Sequence, residues 1–140
     1  MQYFWTVKVI RFIPIVFTIG IVISMYYYPG GNIHDPLQTG YSFTHNFLSD
    51  LGGMNARSGE SNIVSSYIFN ACMISFLLGA IAFLYVPGLF KNDRTNYYLA
   101  IVGSTFFFMG ACFFAGVGFT PHDLYLDQHI FFAINGFRLM

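Results

Sequence analysis

Four apolar stretches separated by polar connections dominate the hydrophobic pattern of this chain. They cover residues 8–28, 62–86, 96–118 and 121–140. At 1.5 Å of helical rise per residue, about twenty residues cross the roughly 30 Å hydrocarbon core of a bilayer. The pattern therefore predicts an all-α integral membrane bundle of four transmembrane helices in a single domain over residues 1–140.

The long connection between the first two stretches carries a further helical pattern over residues 41–51. Phe43, Phe47, Leu48 and Leu51 would share one face of a helix there, and Gly52 follows as a stop. Eleven residues are too few to cross a bilayer as a helix. A short interfacial helix is therefore predicted in addition to the four spans.

The fourth stretch has a recognisable start but a short apolar part. Thr120 can cap a helix, Pro121 suits the first helical position, and Asp123 in the first turn complements the helix dipole. Its first seven residues are rich in polar side chains, so the fully apolar part is brief. We therefore expect the chain to be a fragment of a larger membrane fold.

The composition favours lipid over water as the surrounding solvent. The chain is 56% hydrophobic and 9% charged, whereas an average soluble domain is about 25% charged. A formal net charge of zero gives no basic stripe for nucleic acid. Membrane lipids are the expected partners. A second helix or a second copy is a further candidate, because Ala71, Ser75 and Gly79, and likewise Ala111 and Ala115, recur at four-residue spacing.

The charged residues divide between the two sides that alternating helices would create. One side holds five of the six Lys and Arg residues, namely Lys8, Arg11, Lys91, Arg94 and Arg138. The other holds all four histidines and five of the six acidic residues. Because cytoplasmic loops are enriched in cations, the N-terminus is predicted to be cytoplasmic and the 29–61 loop extracytoplasmic.

The acid and histidine side is the only place where the chain concentrates useful chemistry. A carboxylate could orient a histidine acting as general base, with Ser49 as the nearest hydroxyl nucleophile. The catalytic candidates on this side are His122, Asp123, His129 and Asp50. The candidate metal ligands are His34, His45, His122, Asp127 and His129.

No local metal motif accompanies these residues. His122 and His129 are separated by about 10.5 Å of helical rise, too far for both to bind one ion without bending. A site would have to form between the two outer connections, where zinc suits imidazole and carboxylate ligands although no motif requires it. The alternative is structural, since His and Asp at a membrane rim also cap helices, pair with each other and face water.

Two short motifs carry a resemblance. At 45–52, His-Asn-Phe-Leu-Ser-Asp-Leu-Gly, and at 120–123, Thr-Pro-His-Asp, the chain resembles an uncharacterised bacterial and archaeal family of small multi-pass membrane proteins, domain of unknown function 998. More loosely, the layout is similar to that of DRAM-like eukaryotic membrane proteins. The resemblance implies a fold of about six helices, two of them absent from this chain. It implies no activity and no catalytic residues.

Three functions follow from these observations. The first is a non-catalytic scaffold, sensor or accessory subunit, favoured by the small-residue helix faces and the lack of a catalytic motif. The second is a membrane-embedded, metal-dependent lipid hydrolase with a His/Asp site at the extracytoplasmic rim. A transporter is disfavoured, because no broken helix carries a charge at mid-depth and no inverted repeat is present.

Overall fold

The computed structural model describes residues 1–140, which form helices and connecting loops with no β-strand. Five α-helices are present: α1 Ile10–Tyr27, α2 Ile63–Ile74, α3 Phe76–Phe83, α4 Arg94–Phe119 and α5 Leu126–Leu139. A π-helix, Phe4–Val9, leads into α1, and two 3-10 helices cover Leu48–Gly52 and Val86–Phe90. The predicted all-α class is confirmed.

Three helical segments are long and apolar enough to cross a membrane. They are Phe4–Tyr27, Ile63–Phe90 and Arg94–Phe119, with 24, 28 and 26 residues. Many of their large apolar side chains are exposed, including Ile19, Val22 and Val102. Such a surface suits contact with lipid rather than with water, so these segments support a multi-pass membrane protein.

The predicted second span is interrupted within its length. The helix breaks at Ser75, whose hydroxyl donates to the carbonyl of Cys72 at 2.6 Å, so that α2 and α3 follow each other with a turn between. The small-residue stripe predicted here is only partly an interface, because Ala71 is exposed while Gly79 is buried. On α4, Ala111 and Ala115 are each 1% exposed, as close helix packing requires.

The predicted helix over residues 41–51 is wrong in its extent. Asn46 closes a single turn with its side-chain oxygen, which accepts from the N–H of Ser42 at 3.0 Å. Phe47 is then extended, and only Leu48–Gly52 is helical, as a 3-10 helix. Short polar side chains that bond the nearby backbone compete with helix formation, and Asn46 does so here.

The predicted start of the last helix at Pro121 is also wrong. Residues 121–124 form a turn, and α5 begins only at Leu126. The hydroxyl of Thr120 donates back to the carbonyl of Gly116 at 2.9 Å, so it does not cap α5. With fourteen residues, α5 is about 21 Å long, which is shorter than a hydrocarbon core.

The segments that the sequence analysis assigned to opposite sides lie at opposite ends of the bundle. At one end, Trp5 stacks on Tyr85 with ring centroids 5.8 Å apart, and the side chain of Gln2 donates to the carbonyl of Tyr85. At the other end, the 28–62 connection covers the turn between α4 and α5. A core that includes Tyr28, Leu51, Phe69 and Val117 lies beneath this outer cover.

Candidate functional site

Asp123 joins the two outer polar segments. Its carboxylate accepts hydrogen bonds from the backbone N–H groups of Met54 and Asn55, each at 3.0 Å. The ring of His122 lies against Gly53, where a Cβ atom would come within 2.6 Å of the ring Cε1. The structure therefore brings the 46–57 region to the start of the last helix, and it uses Asp123 to fasten the two segments together.

Asp50 is the centre of a buried ionic cluster. Its side chain is 0% exposed, and one carboxylate oxygen accepts from Nε and Nη2 of Arg57 at 3.0 and 2.9 Å. The other oxygen accepts from the backbone N–H of Phe47 at 3.0 Å and from Nδ2 of Asn46 at 3.1 Å. A buried charge is tolerated when it is paired and hydrogen-bonded in this way.

Arg57 was missed as a site residue by the sequence reasoning. The available signal was its position, since it is the one Lys or Arg on the acid-rich side. A cation that departs from the charge distribution of membrane loops needs a local reason, and the ion pair with Asp50 supplies it. Asn62 was also missed, although its side-chain amide donates to the carbonyls of Leu51 and Gly53 at 3.1 and 2.8 Å.

His122 lies beside this cluster without completing a strong bond to it. Its Nε2 is 3.8 Å from a carboxylate oxygen of Asp50, and its Nδ1 is buried with no hydrogen-bond partner. Burial, followed by the charge of Arg57, holds the pKa of His122 below its usual value, against the opposing charges of Asp50 and Asp123. The folded protein therefore favours a neutral imidazole here.

We expect the fold to lose stability in mild acid through His122. A histidine whose pKa is lowered by folding takes up its proton more readily in the unfolded chain. Stability is then full above the unfolded pKa of about 6.5 and falls as the pH drops from there through the lower folded pKa. The measurement is the thermal unfolding temperature in detergent between neutral and acid pH for wild type and His122→Asn.

The wild type should show a steeper loss on acidification than His122→Asn. The matched control is His34→Asn, because His34 is exposed, and it should retain the wild-type pH profile. Identical profiles for wild type and His122→Asn would contradict this prediction.

His129 is buried, and one of its two ring nitrogens forms a hydrogen bond while the other has no partner. It is 6% exposed, and its Nδ1 lies 2.6 Å from the carbonyl oxygen of Thr120. Because a carbonyl oxygen only accepts, Nδ1 carries a proton, and in the neutral imidazole Nε2 then keeps a lone pair. Nε2 has no hydrogen-bond partner within the protein.

The same residue lines a large apolar cavity. The cavity has a volume of about 650 Å³, and thirteen of its fifteen lining residues are hydrophobic. The two polar ones are Ser49 and His129. The apolar wall is contributed by Phe17, Phe47, Leu48, Phe69, Met73, Phe76, Phe114, Val117, Ile130, Ala133, Ile134, Phe137 and Met140.

Comparison of the chain with family models, with curated proteins and with solved structures finds no match. The resemblance to domain of unknown function 998 therefore stays a prediction. The chemistry of the site rests on the geometry of its own residues.

The candidate metal ligands do not gather into one site. No three His, Cys, Asp or Glu side chains form a group that could hold a metal ion. The ring centroids of His34 and His45 are 6.0 Å apart, and those of His122 and His129 are also 6.0 Å apart. Asp127 is exposed at the start of α5. The predicted set therefore separates into two histidine pairs.

The catalytic candidates are similarly engaged in structural contacts. Asp50 is held by Arg57, Asp123 accepts backbone N–H groups, and the Nδ1 of His129 is bonded to a carbonyl. These contacts leave without a partner the Nδ1 of His122, the hydroxyl of Ser49 and the Nε2 of His129. Of these three residues, Ser49 and His129 line the apolar cavity. This arrangement suits an amphipathic ligand with a small polar end.

Proposed function

We propose that this protein binds a membrane lipid in the cavity between α1, α2, α4 and α5, and that it serves as a non-catalytic lipid sensor or accessory subunit. The observation that carries the proposal is the cavity itself, apolar throughout except at Ser49 and His129. Ligand sites are typically concave and apolar with a few polar groups that fix orientation. A volume of about 650 Å³ falls within the usual range for such sites.

Lipid is the proposed occupant because of where the cavity lies. Its walls include segments long and apolar enough to cross a membrane, so acyl chains are the solvent around it. Along α5 it extends from His129 to Met140, a rise of roughly 16 Å. In this proposal α5 enters the bilayer from the extracytoplasmic side, while the N-terminus is cytoplasmic.

Photochemical labelling in nanodiscs tests lipid binding directly. A diacylglycerol with a diazirine in its acyl chain, present at a low mole fraction, should label the cavity residues Met73 and Phe114 in preference to exposed residues of the outer helix surfaces, such as Ile19 and Val102. Labelled peptides are identified by mass spectrometry. Labelling spread evenly over all lipid-facing residues would overturn the proposal.

A cavity-filling variant provides the second arm. Ala133 lines the cavity, so Ala133→Phe should reduce cavity labelling several-fold by occupying the acyl-chain space. The matched control is Ala71→Phe, because Ala71 is an exposed helix residue that does not line this cavity. This variant should retain labelling of the cavity residues. Retained labelling in a folded Ala133→Phe protein would count against the cavity as the binding site.

A further inference from the structure

We infer that the lipid is uncharged and carries a free hydroxyl group, which donates a hydrogen bond to Nε2 of His129. This inference deepens the proposed function and rests on it. The basis is the ring geometry. Nδ1 lies 2.6 Å from the carbonyl oxygen of Thr120, so in the neutral imidazole Nε2 is an acceptor without a partner in the protein. His129 lines a cavity whose only other polar side chain is Ser49, and an acceptor there gains a hydrogen bond from a ligand hydroxyl.

Ser49 gives the second polar contact. Its hydroxyl is both donor and acceptor, and it lines the same cavity on the 3-10 helix Leu48–Gly52. A lipid hydroxyl can donate to one of these two groups and accept from the other. An ester or ether oxygen can only accept, so it would leave the His129 nitrogen without a partner.

The charges around the cavity disfavour an ionic headgroup. No Lys, Arg, Asp or Glu side chain lines the cavity. The nearby cation Arg57 is already engaged by Asp50, and Asp127 lies two residues before His129 on α5. A phosphate or carboxylate would therefore enter a site with no free counter-charge and an acidic residue close by, and an ammonium would be desolvated without a partner.

Competition against the diazirine diacylglycerol tests the headgroup. The competitors are dioleoylglycerol, its methyl ether, dioleoyl phosphatidate and dioleoyl phosphatidylethanolamine, which share the same acyl chains. In the wild type, dioleoylglycerol should displace the probe from the cavity about ten-fold better than the methyl ether, as expected for one hydrogen bond. It should also act better than either phospholipid.

Two variants connect the preference to the named atoms. His129→Asn retains an N–H group that can donate to Thr120 but lacks an acceptor at the position of Nε2. In this variant, dioleoylglycerol and its methyl ether should displace the probe equally well. Ser49→Ala should lower the preference several-fold with little risk to folding, because the Ser49 hydroxyl has no partner in the protein. Ser61→Ala, at an exposed serine outside the cavity, should keep the wild-type preference.

The outcomes separate this inference from the proposal beneath it. If the methyl ether or a phospholipid competes as well as dioleoylglycerol while Ala133→Phe still abolishes cavity labelling, the headgroup assignment is wrong and lipid binding stands. If the cavity is not labelled at all, both fall. If His129→Asn still prefers dioleoylglycerol to its methyl ether, the lipid hydroxyl does not bind His129 and the assignment is likewise wrong.

Discussion

Replacement of Asp50 by alanine should lower the free energy of unfolding by about 3 kcal/mol. The carboxylate is 0% exposed and accepts hydrogen bonds from Arg57, Asn46 and Phe47. Removing it leaves these donors unpaired, although the side chain of Arg57 is 37% exposed and can regain water, which reduces the loss. The measurement is denaturant or SDS unfolding in mixed micelles.

The control for Asp50→Ala is Glu60→Ala. Glu60 is an exposed carboxylate of the same outer connection, so its removal should change the free energy of unfolding by less than about 0.5 kcal/mol. A double-mutant cycle with Arg57→Ala then isolates the ion pair. Equal stability of Asp50→Ala and Glu60→Ala would show that the buried cluster does not stabilise the fold.

The same change should also weaken lipid binding. Asp50 belongs to the 3-10 helix that includes Leu48 and Ser49, and it fixes Phe47 through the backbone N–H. These three neighbours line the cavity. Loss of the carboxylate is therefore expected to loosen the outer wall of the proposed lipid site.

Replacement of Asn62 by aspartate should have the second large effect, a loss of about 3 kcal/mol in the free energy of unfolding at neutral pH. Asn62 is 1% exposed. Its Nδ2 donates to the carbonyls of Gly53 at 2.8 Å, Leu51 at 3.1 Å and Asp50 at 3.4 Å. An aspartate of nearly the same shape would remove this donor and place a carboxylate against the three carbonyl oxygens.

Asn92→Asp is the matched control for Asn62→Asp. Asn92 lies exposed in the charged turn at the opposite end of the bundle, so the same chemical change should be nearly neutral there. Both variants are compared by unfolding in the same detergent. Similar stabilities for the two would mean that the amide of Asn62 does not hold the outer connection in place.

The apolar pattern was sufficient to predict the membrane character and the positions of three long helices, because the length and polarity of a span follow directly from the thickness of the bilayer. The start of α5 was misplaced because Asp123 bonds to Met54 and Asn55, residues nearly seventy positions earlier. The helix predicted over residues 41–51 was too long for a local reason, because the side chains of Asn46 and Asp50 accept from the backbone N–H groups of Ser42 and Phe47.

The candidate site was only partly predictable for a related reason. The sequence placed Asp50, His122, Asp123 and His129 on one side, and the structure brings them to one end of the bundle. Arg57 and the cavity were not predicted, because the ion pair depends on how the outer connection folds back on itself and the cavity depends on the relative positions of separate helices. Periodicity reports which face of a helix is apolar, and it carries no information about the gap between two helices.

By itself, the sequence predicted that this chain is a membrane protein and that all four histidines and five of the six acidic residues share one side, because both properties are sums over residue types along a segment. Only the tertiary structure decided which of those polar groups are engaged and which remain available. Asp50 is engaged by Arg57 of the same connection and Asp123 by the distant backbone of Met54, while Ser49 and His129 both line an apolar cavity. Hydrogen bonds act over a few ångströms, so their partners are set by folding and cannot be read from spacing along the chain.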